Sequence, residues 1–447
     1  MKRYLQISTA LALVLSISAA ANAASLTEAV QKTLNTNPDI VIVLSDKEIA
    51  AADKRDAFGA YLPSVDVNAS TGGQWTNSPS TRSSASSVAG RDSTPSLYQN
   101  EATLTLRQLL FDGFATIAEN DRREALQLSA ENKVVERAEG LALDATEAYL
   151  EVLRRNRLLS IAEDNIATHE TYRDMVRKRS DGGGGTVADL RQAESRTSTA
   201  MTVAEQLKGN LLDSEASFQR LVGEAPDNLS RPEFDFGTLP ADVDAAVAQT
   251  MATNPSILAA KNELQAAEAG VDASYAPFMP RFDVELSGTR GQDLDGIQGS
   301  NNRGSALVVA RWNLFKGGSD VARNDAAILR RSRARDVVSR QERIQSEQTR
   351  FAWNAMNTAR EKVKTLRDVV ASNERVREAY RKQFELGQRS LLDLLDSENE
   401  LFISRSDLVT AEYTSLFGAY RLMSVMGTLN NNLGVKVPDS TLLSSAQ

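Results

Sequence analysis

Apolar and polar positions begin a strict alternation at residue 64. Val65, Val67 and Ala69 point one way, and Ser64, Asp66, Asn68 and Ser70 the other. That is the period of a strand with one apolar face. The pattern returns with Phe282, Val284 and Leu286 set against Arg281, Asp283, Glu285 and Ser287. Asp66 and Asp283 hold equivalent polar positions, and Asn is expected to be tolerated at both. Returning strands are expected over residues 102–111 and 305–315, each about ten residues, the length of a tilted strand that crosses a membrane. Tyr61, Trp75, Tyr98, Phe111, Phe278, Trp312 and Phe315 lie near the strand ends, where interfacial aromatics belong.

After each strand pair the period changes. Residues 114–180 contain no Pro and one Gly, with a heptad-like series Val135, Ala138, Ala142, Ala145, Tyr149, Val152, Asn156 and Leu159. This reads as the seam of one continuous helix, about 100 Å long at about 1.5 Å per residue. Residues 318–386 repeat the pattern with Met356, Ala359, Val363, Leu366, Val370, Asn373, Tyr380 and Phe384. Shorter helices are expected over 186–222 and 390–426. Before the strands, Asn37-Pro38 and Asn254-Pro255 place a capping side chain and then Pro at the first helical position, predicting helices that start there.

These elements form two copies of one unit. Thr36-Asn37-Pro38 recurs as Thr253-Asn254-Pro255 and Pro63 as Pro280, both at an interval of 217. Beyond the strands the interval is 204: Leu110-Phe111-Asp112-Gly113 matches Leu314-Phe315-Lys316-Gly317, and Asp189-Leu190 matches Asp393-Leu394. The 13 additional residues of the first copy fall within 72–100, a stretch rich in Ser, Thr, Gly and Asn that reads as an exposed loop. The expected organisation is a signal peptide over 1–23 and a first repeat over 24–223, with its strand pair at 64–111. A linker or equatorial segment follows at 224–245. The second repeat spans 246–427, with its strand pair at 281–315, and a tail occupies 428–447.

Composition narrows the chemistry. The 447 residues include no Cys and one His, which removes thiol nucleophiles, disulfides and Cys-ligated metals. No catalytic constellation is found, and neither a cofactor nor a metal is expected. Lys2 and Arg3 precede an apolar run over 10–21 that ends in Ala21-Asn22-Ala23, the form of an export signal. Without Lys2 and Arg3 the chain has 49 basic and 59 acidic residues, a net charge of −10. This argues against a nucleic-acid partner. No uncharged apolar stretch of about 18 residues follows the signal, so any membrane span must be β. Four strands cannot close a barrel, because about eight are the usual minimum, and open edges are not tolerated in lipid. Three copies would supply 12 strands.

Taken in order, the Asn-Pro helix starts, the Pro-led strand pairs, Phe-x-Gly before each long helix, and the run Gly387-Gln388-Arg389-Ser390-Leu391-Leu392-Asp393-Leu394-Leu395-Asp396 resemble the TolC-type outer-membrane channel-tunnels over essentially the whole mature chain. The resemblance implies a mainly α fold with a transmembrane β-barrel. A homotrimer would share a 12-stranded barrel in outer-membrane lipid, joined to a coiled-coil α-helical barrel that crosses the periplasm. It also implies an exit duct for drug efflux or type I protein secretion, docked to an inner-membrane pump through a periplasmic adaptor. By the same resemblance Asp393 and Asp396 match an acidic ring at the periplasmic entrance. Arg389 matches a basic residue that ties neighbouring helices shut, and Asp189 matches its carboxylate partner. Phe384 stands where some members have a Tyr that helps hold the entrance.

The residues also allow simpler readings. Thr186-Val187-Ala188-Asp189 and Ser390-Leu391-Leu392-Asp393 are capping-box-like helix starts. The Gly run at 182–185 reads as a flexible interhelical loop, and His169 as an exposed or seam residue without a special role. The Arg-rich span 330–350 reads as a solvated face. A periplasmic coiled-coil adaptor or scaffold would share the long hairpins, but it would have no use for four alternating strands.

Overall fold

The computed structural model describes residues 25–88, 90 and 92–439. The expected signal peptide and the last eight residues lie outside them. Helix α1 (Leu26–Thr36) starts at Ser25, whose side chain accepts from the Glu28 amide while the Glu28 carboxylate accepts from the Ser25 amide. Helix α2 (Pro38–Gly59) follows one residue later, with Asn37 accepting from the Asp39 amide at 3.0 Å. Strand β1 (Ser64–Trp75), a short helix α3 (Pro79–Ser87) and strand β2 (Ser96–Phe111) come next. The expected loop over 72–100 therefore holds the ends of both strands and a helical cap. Its hydroxyl residues make that structure: Ser78 and Thr81 form a capping box, and Thr81 also donates to the Ser93 carbonyl at 3.0 Å.

Helix α4 (Ala115–Asp181) has 67 residues and pairs with α5 (Val187–Val222). The second repeat runs α6 (Val243–Thr253), α7 (Pro255–Tyr275), β3 (Arg281–Gln292), β4 (Ser300–Arg311), α8 (Ser319–Glu385) and α9 (Leu391–Val425), before a final turn of helix, α10 (Leu429–Leu433). Strand β4 stops at Arg311, short of the expected end at Phe315. The next segment turns through Gly317 and Gly318, both at positive φ, into α8. The equivalent turn in the first repeat uses Gly113 (φ +70), where a Cβ would lie 2.7 Å from the Ala276 carbonyl oxygen. This explains the Gly of Phe-x-Gly.

The four strands form one antiparallel sheet in the order β1-β2-β3-β4, so the two repeats meet at β2 and β3. Register places Val65 opposite Leu106, Leu106 opposite Leu286 and Leu286 opposite Ala306, one continuous apolar face. Much of it is exposed in the single chain, with Val67 at 70% and Val308 at 69%. Trp75 and Tyr98 are exposed at one end of the sheet, and Tyr61, Phe278, Trp312 and Phe315 at the other. The opposite face is polar. There Thr103 bonds Thr289 at 3.0 Å and Ser287 bonds Ser305 at 2.7 Å.

On this polar face the two Asp positions part company. Asp66 is exposed, but Asp283 is fully buried between Arg281 at 3.0 Å and Arg311 at 2.8 Å. Arg311 also reaches Glu285 at 2.6 Å, and Arg107 of β2 reaches the same carboxylate at 3.0 Å. The chain of charges ties β2, β3 and β4 together, so the expectation that Asp66 and Asp283 tolerate Asn equally does not hold.

Where the helices converge, a single core joins α1, α2, α4, α9 and α10 around Leu34, Ile40, Leu44, Leu141, Tyr149 and Leu422. Ala138, Ala142 and Ala145 of α4 are all fully buried here; their small side chains admit close neighbours. The segment between the repeats crosses this level. The Tyr149 hydroxyl donates to the Ser230 carbonyl at 2.6 Å, Phe234 packs edge-on against Tyr420, and Arg360 lies over Phe236 at 4.5 Å. The C-terminal segment is held by a buried carboxylate: Glu139 accepts from the amides of Leu429 at 3.0 Å and Asn430 at 3.1 Å. Gln31 then exchanges two hydrogen bonds with the backbone of Lys436, at 2.9 and 3.1 Å.

Asp283→Asn removes half of a charge-assisted cluster and is expected to cost about 1.5–3 kcal/mol. Asp66→Asn should stay within about 0.5 kcal/mol. The temperature at which each variant loses heat-modifiable migration on gels separates them; equal temperatures would refute the assignment of Asp283. Burial pushes the Glu139 carboxyl up to about 7, only partly offset by the Asn430 and Leu429 amides. The folded protein therefore holds a proton there that the unfolded chain releases near pH 4.5. That stabilisation is complete below pH 4.5 and is lost as pH rises through 7, a change of about 3 kcal/mol. The melting temperature should fall more steeply between pH 5 and 8 in the wild type than in Glu139→Gln, as calorimetry across that range would measure.

Candidate functional site

The far ends of the hairpins, where α4 turns into α5 and α8 into α9, carry the four residues singled out in the sequence. Both turns have the same backbone. Gly182 donates to the Lys178 carbonyl, Gly183 to Ser180 and Gly184 to Arg179; Leu386, Gly387 and Gln388 repeat these bonds to Lys382, Phe384 and Gln383. Gly183 and Gly387 supply the positive φ, +73° and +75°. The Gly run at 182–185 is thus a hydrogen-bonded helix terminus, in register with its counterpart 204 residues later.

A second, smaller core sits just behind these turns. Tyr172 and Val176 of α4, Ala193 of α5, Phe384 of α8 and Leu391, Leu394 and Leu395 of α9 bury one another. Phe384 is a core residue here. Arg179 bridges the two turns. Its guanidinium lies over the Phe384 ring at 5.6 Å, donates to the Phe384 carbonyl at 3.4 Å and reaches the Gly184 carbonyl at 3.2 Å. Nothing in the sequence distinguishes Arg179 from Arg177 and Lys178 beside it; only the fold aims it across the repeat boundary.

Asp189 and Asp393 occupy the third position of their helices. The Thr186 hydroxyl donates to Asp189 at 2.8 Å and accepts from its amide at 3.1 Å, and Ser390 does the same for Asp393 at 2.8 and 3.2 Å. Both carboxylates therefore finish a helix start, favourable to the helix dipole, while remaining only half-buried. Arg389 stacks on the Tyr380 ring at 3.9 Å and lies 3.8 Å from Asp393. Within one chain it pairs with Asp393 and does not meet Asp189. Its buried Nε finds no acceptor among the described residues. The ring contact comes from Tyr380, one turn before Phe384. Asp396 pairs with Arg196 of α5 at 3.2 Å, a link between the two repeats that the sequence did not reveal.

Farther from the turns, Glu398 is buried against the Tyr172 hydroxyl at 3.2 Å and Arg377 at 3.9 Å. Burial raises its pKa, with Arg377 opposing, and burial pushes the Tyr172 hydroxyl up to about 12. His169 is buried too, at the seam between α4 and α5, the second of the two expected positions. Desolvation, then Arg196, holds its pKa below the usual value, so it sits neutral.

A sequence model of the family described as "Outer membrane efflux protein" matches residues 29–224 and 246–428, the two repeats. "Outer membrane efflux protein BepC" of Brucella suis biovar 1 is 28% identical over 340 residues, covering 75% of this chain and 74% of that one. "Alkaline protease secretion protein AprF" of Pseudomonas aeruginosa is 23% identical, covering 89% and 83%. The crystal structure of CusC superimposes with a TM-score of 0.78 over 90% of this chain and 91% of its own, at 17% identity.

Arg179→Ala is expected to uncouple the two turns. Loss of about 1.4 kcal/mol there should raise amide exchange in 182–185 and 386–389 about tenfold, with Arg179→Lys intermediate because the ammonium cannot span both carbonyls. Exchange measured by mass spectrometry that stays at the wild-type rate in both turns would remove Arg179 from this role.

Proposed function

Because the chain belongs to the outer membrane efflux protein family, we propose that three copies assemble around one axis into a duct that passes cargo out through the outer membrane. The protein is an outer-membrane export channel with the tunnel-and-barrel fold. The observation that carries the trimer is the sheet. Its apolar face is exposed, and both β1 and β4 present unpaired edges. Lipid offers no partner to those amides, so the edges must pair with each other in neighbouring copies. β1 and β4 run in opposite directions, so a ring of three is antiparallel throughout, with 12 strands. A coiled-coil adaptor or scaffold would leave this sheet without a purpose.

The helices extend the duct about 100 Å below the barrel. In the lower half α5 packs on α4, α4 on α9 and α9 on α8, so α5 and α8 are the outer helices of the row. In a ring, the α5 start with Asp189 comes beside the α8–α9 turn with Arg389 of the next copy. We assign the lock between Arg389 and Asp189 to that boundary, with Tyr380 and Asp393 holding Arg389 ready. Asp393 and Asp396 of three copies then place six carboxylates around the periplasmic mouth, a field that favours cations. The tips are also where a periplasmic adaptor and an inner-membrane pump would dock. BepC is named for efflux and AprF for protease secretion; which cargo this duct carries belongs to the pump that feeds it.

Replacing Asp393 and Asp396 together by Ala should abolish block of the open pore by trivalent cations added from the periplasmic side, while the trimer on native gels is unchanged. Planar-bilayer conductance reads the block directly. A double variant blocked like the wild type would move the acidic ring elsewhere.

A further inference from the structure

The apolar face of the sheet carries one charged residue. From the level of Val65, Leu106, Leu286 and Ala306, the second level away from the helices aligns Ala69, Ala102, Arg290 and Asn302, and the third aligns Thr71, Asn100, Gln292 and Ser300. Alternation along a strand puts every other charged residue of β1 to β4 on the polar face, Asp66, Arg107, Glu285 and Arg303 among them. Arg290 alone shares the apolar face. It is exposed and, among the described residues, forms no ion pair.

The height of Arg290 on that face says what it can meet. A cation on a lipid-facing strand is costly at mid-bilayer and nearly free at the interface. Phe282 opens this face of β3 at the helical end. From there to position 290 the strand climbs about 20 Å at about 3.3 Å per residue and a tilt of about 40°, against an apolar band of about 25 Å. The helices lie on the periplasmic side, so Arg290 stands in the outer leaflet, where its long stem lets the guanidinium rise to the headgroups.

Polar donors and then aromatic rings surround that point. Asn302 lies directly opposite Arg290 on β4, and Asn100 and Ser300 are exposed one level farther out. Thr71 donates to the Asn100 side-chain carbonyl at 2.6 Å, which leaves the Asn100 amide nitrogen to donate outward. Beyond them Tyr98 and Trp75 present exposed rings. A guanidinium with amide and hydroxyl donors beside it matches a phosphate, which Arg can hold through two parallel bonds. Rings set farther out match the sugar to which such a phosphate is attached.

We propose that Arg290, with Asn302 and Asn100 beside it, binds the phosphate of a phosphorylated glycolipid of the outer leaflet, one to each copy around the outer wall of the barrel. This rests on the reading of the apolar face as the lipid-facing side of an outer-membrane barrel. It gives the otherwise apolar wall one fixed lipid contact, on the side of the membrane away from the periplasmic mouth.

The full-length trimer, purified in mild detergent, is titrated with a phosphorylated glycolipid that has no O-chain, and retention is read by native mass spectrometry. Wild-type trimers should retain it up to three to a trimer. Arg290→Ala should weaken retention about tenfold or more, as loss of a charge-assisted contact does. Arg290→Lys should fall between the two, because an ammonium keeps the charge without the paired bonds. Glycolipid stripped of phosphate should bind the wild type as weakly as intact glycolipid binds Arg290→Ala. Arg303→Ala, which removes a charge from the polar face, should bind like the wild type. Equal retention by wild type and Arg290→Ala, or of intact and dephosphorylated glycolipid, would overturn the site. Displacement of the glycolipid by an equal concentration of phosphatidylglycerol would overturn its assignment to the outer-leaflet lipid. Each of these results, obtained with trimers that keep their heat-modifiable migration, leaves the channel standing. Wild-type protein that forms no such trimer would overturn the channel reading and the site with it.

Discussion

A backbone amide within lipid must find its partner in protein, and a sheet of four strands leaves two rows of amides without one. The rest of the molecule follows from that constraint. Each level of the chain is a row with two unlike edges: β1 and β4 at the top, α2 and α8 below them, α5 and α8 at the bottom. Unlike edges make a head-to-tail contact, and such a contact either closes into a ring or grows without limit. The unpaired strand edges are therefore unfinished, while the exposed apolar face of the sheet suits it to lipid.

Duplication supplies the rows, and divergence between the repeats supplies function. The two hairpin turns have the same hydrogen bonds and the same positive φ, yet their side chains differ. In the first turn Arg179 reaches across to the carbonyl of Phe384, whereas in the second Arg389 folds back over Tyr380 toward Asp393. A symmetrical scaffold thus carries two unlike tips, with one arginine joining the repeats and the other folded back within its own hairpin. The 13 extra residues of the first repeat act in a similar way at the opposite end, where α3 caps one hairpin only.

Glu139, Glu398 and His169 are buried between helices. Glu139 and Glu398 lie at junctions of elements distant in the sequence and hydrogen bond across them, whereas His169 lies between α4 and the helix that follows it. Glu139 holds the C-terminal segment against α4 through two amides, which a carbon side chain of the same size could not do. Glu398 joins Tyr172 of α4 with Arg377 of α8. Buried polar contacts of this kind fix which helices meet at a given height, where apolar packing alone would tolerate a shift of one turn.

Local pattern determined most of the architecture. Helix starts at Asn-Pro, strand faces from period-2 alternation, 67-residue helices from an unbroken heptad series and the repeat itself are all consequences of short-range rules acting on neighbouring residues. Tertiary structure decided what local rules do not contain. Asp66 and Asp283 are equivalent in the repeat, yet only Asp283 is closed in, because Arg281 and Arg311 flank it from its own and the adjacent strand. Phe384 packs inward and Tyr380 meets Arg389 because the turn after Glu385 sets which side of α8 faces α9. Asp396 finds Arg196, and Arg389 finds Asp393, through helix packing across 200 residues in one case and a single helical turn in the other. Sequence spacing sets the direction in which a side chain leaves its own helix or strand. What it meets there depends on the other elements brought to the same height, and that is settled only when the rows assemble.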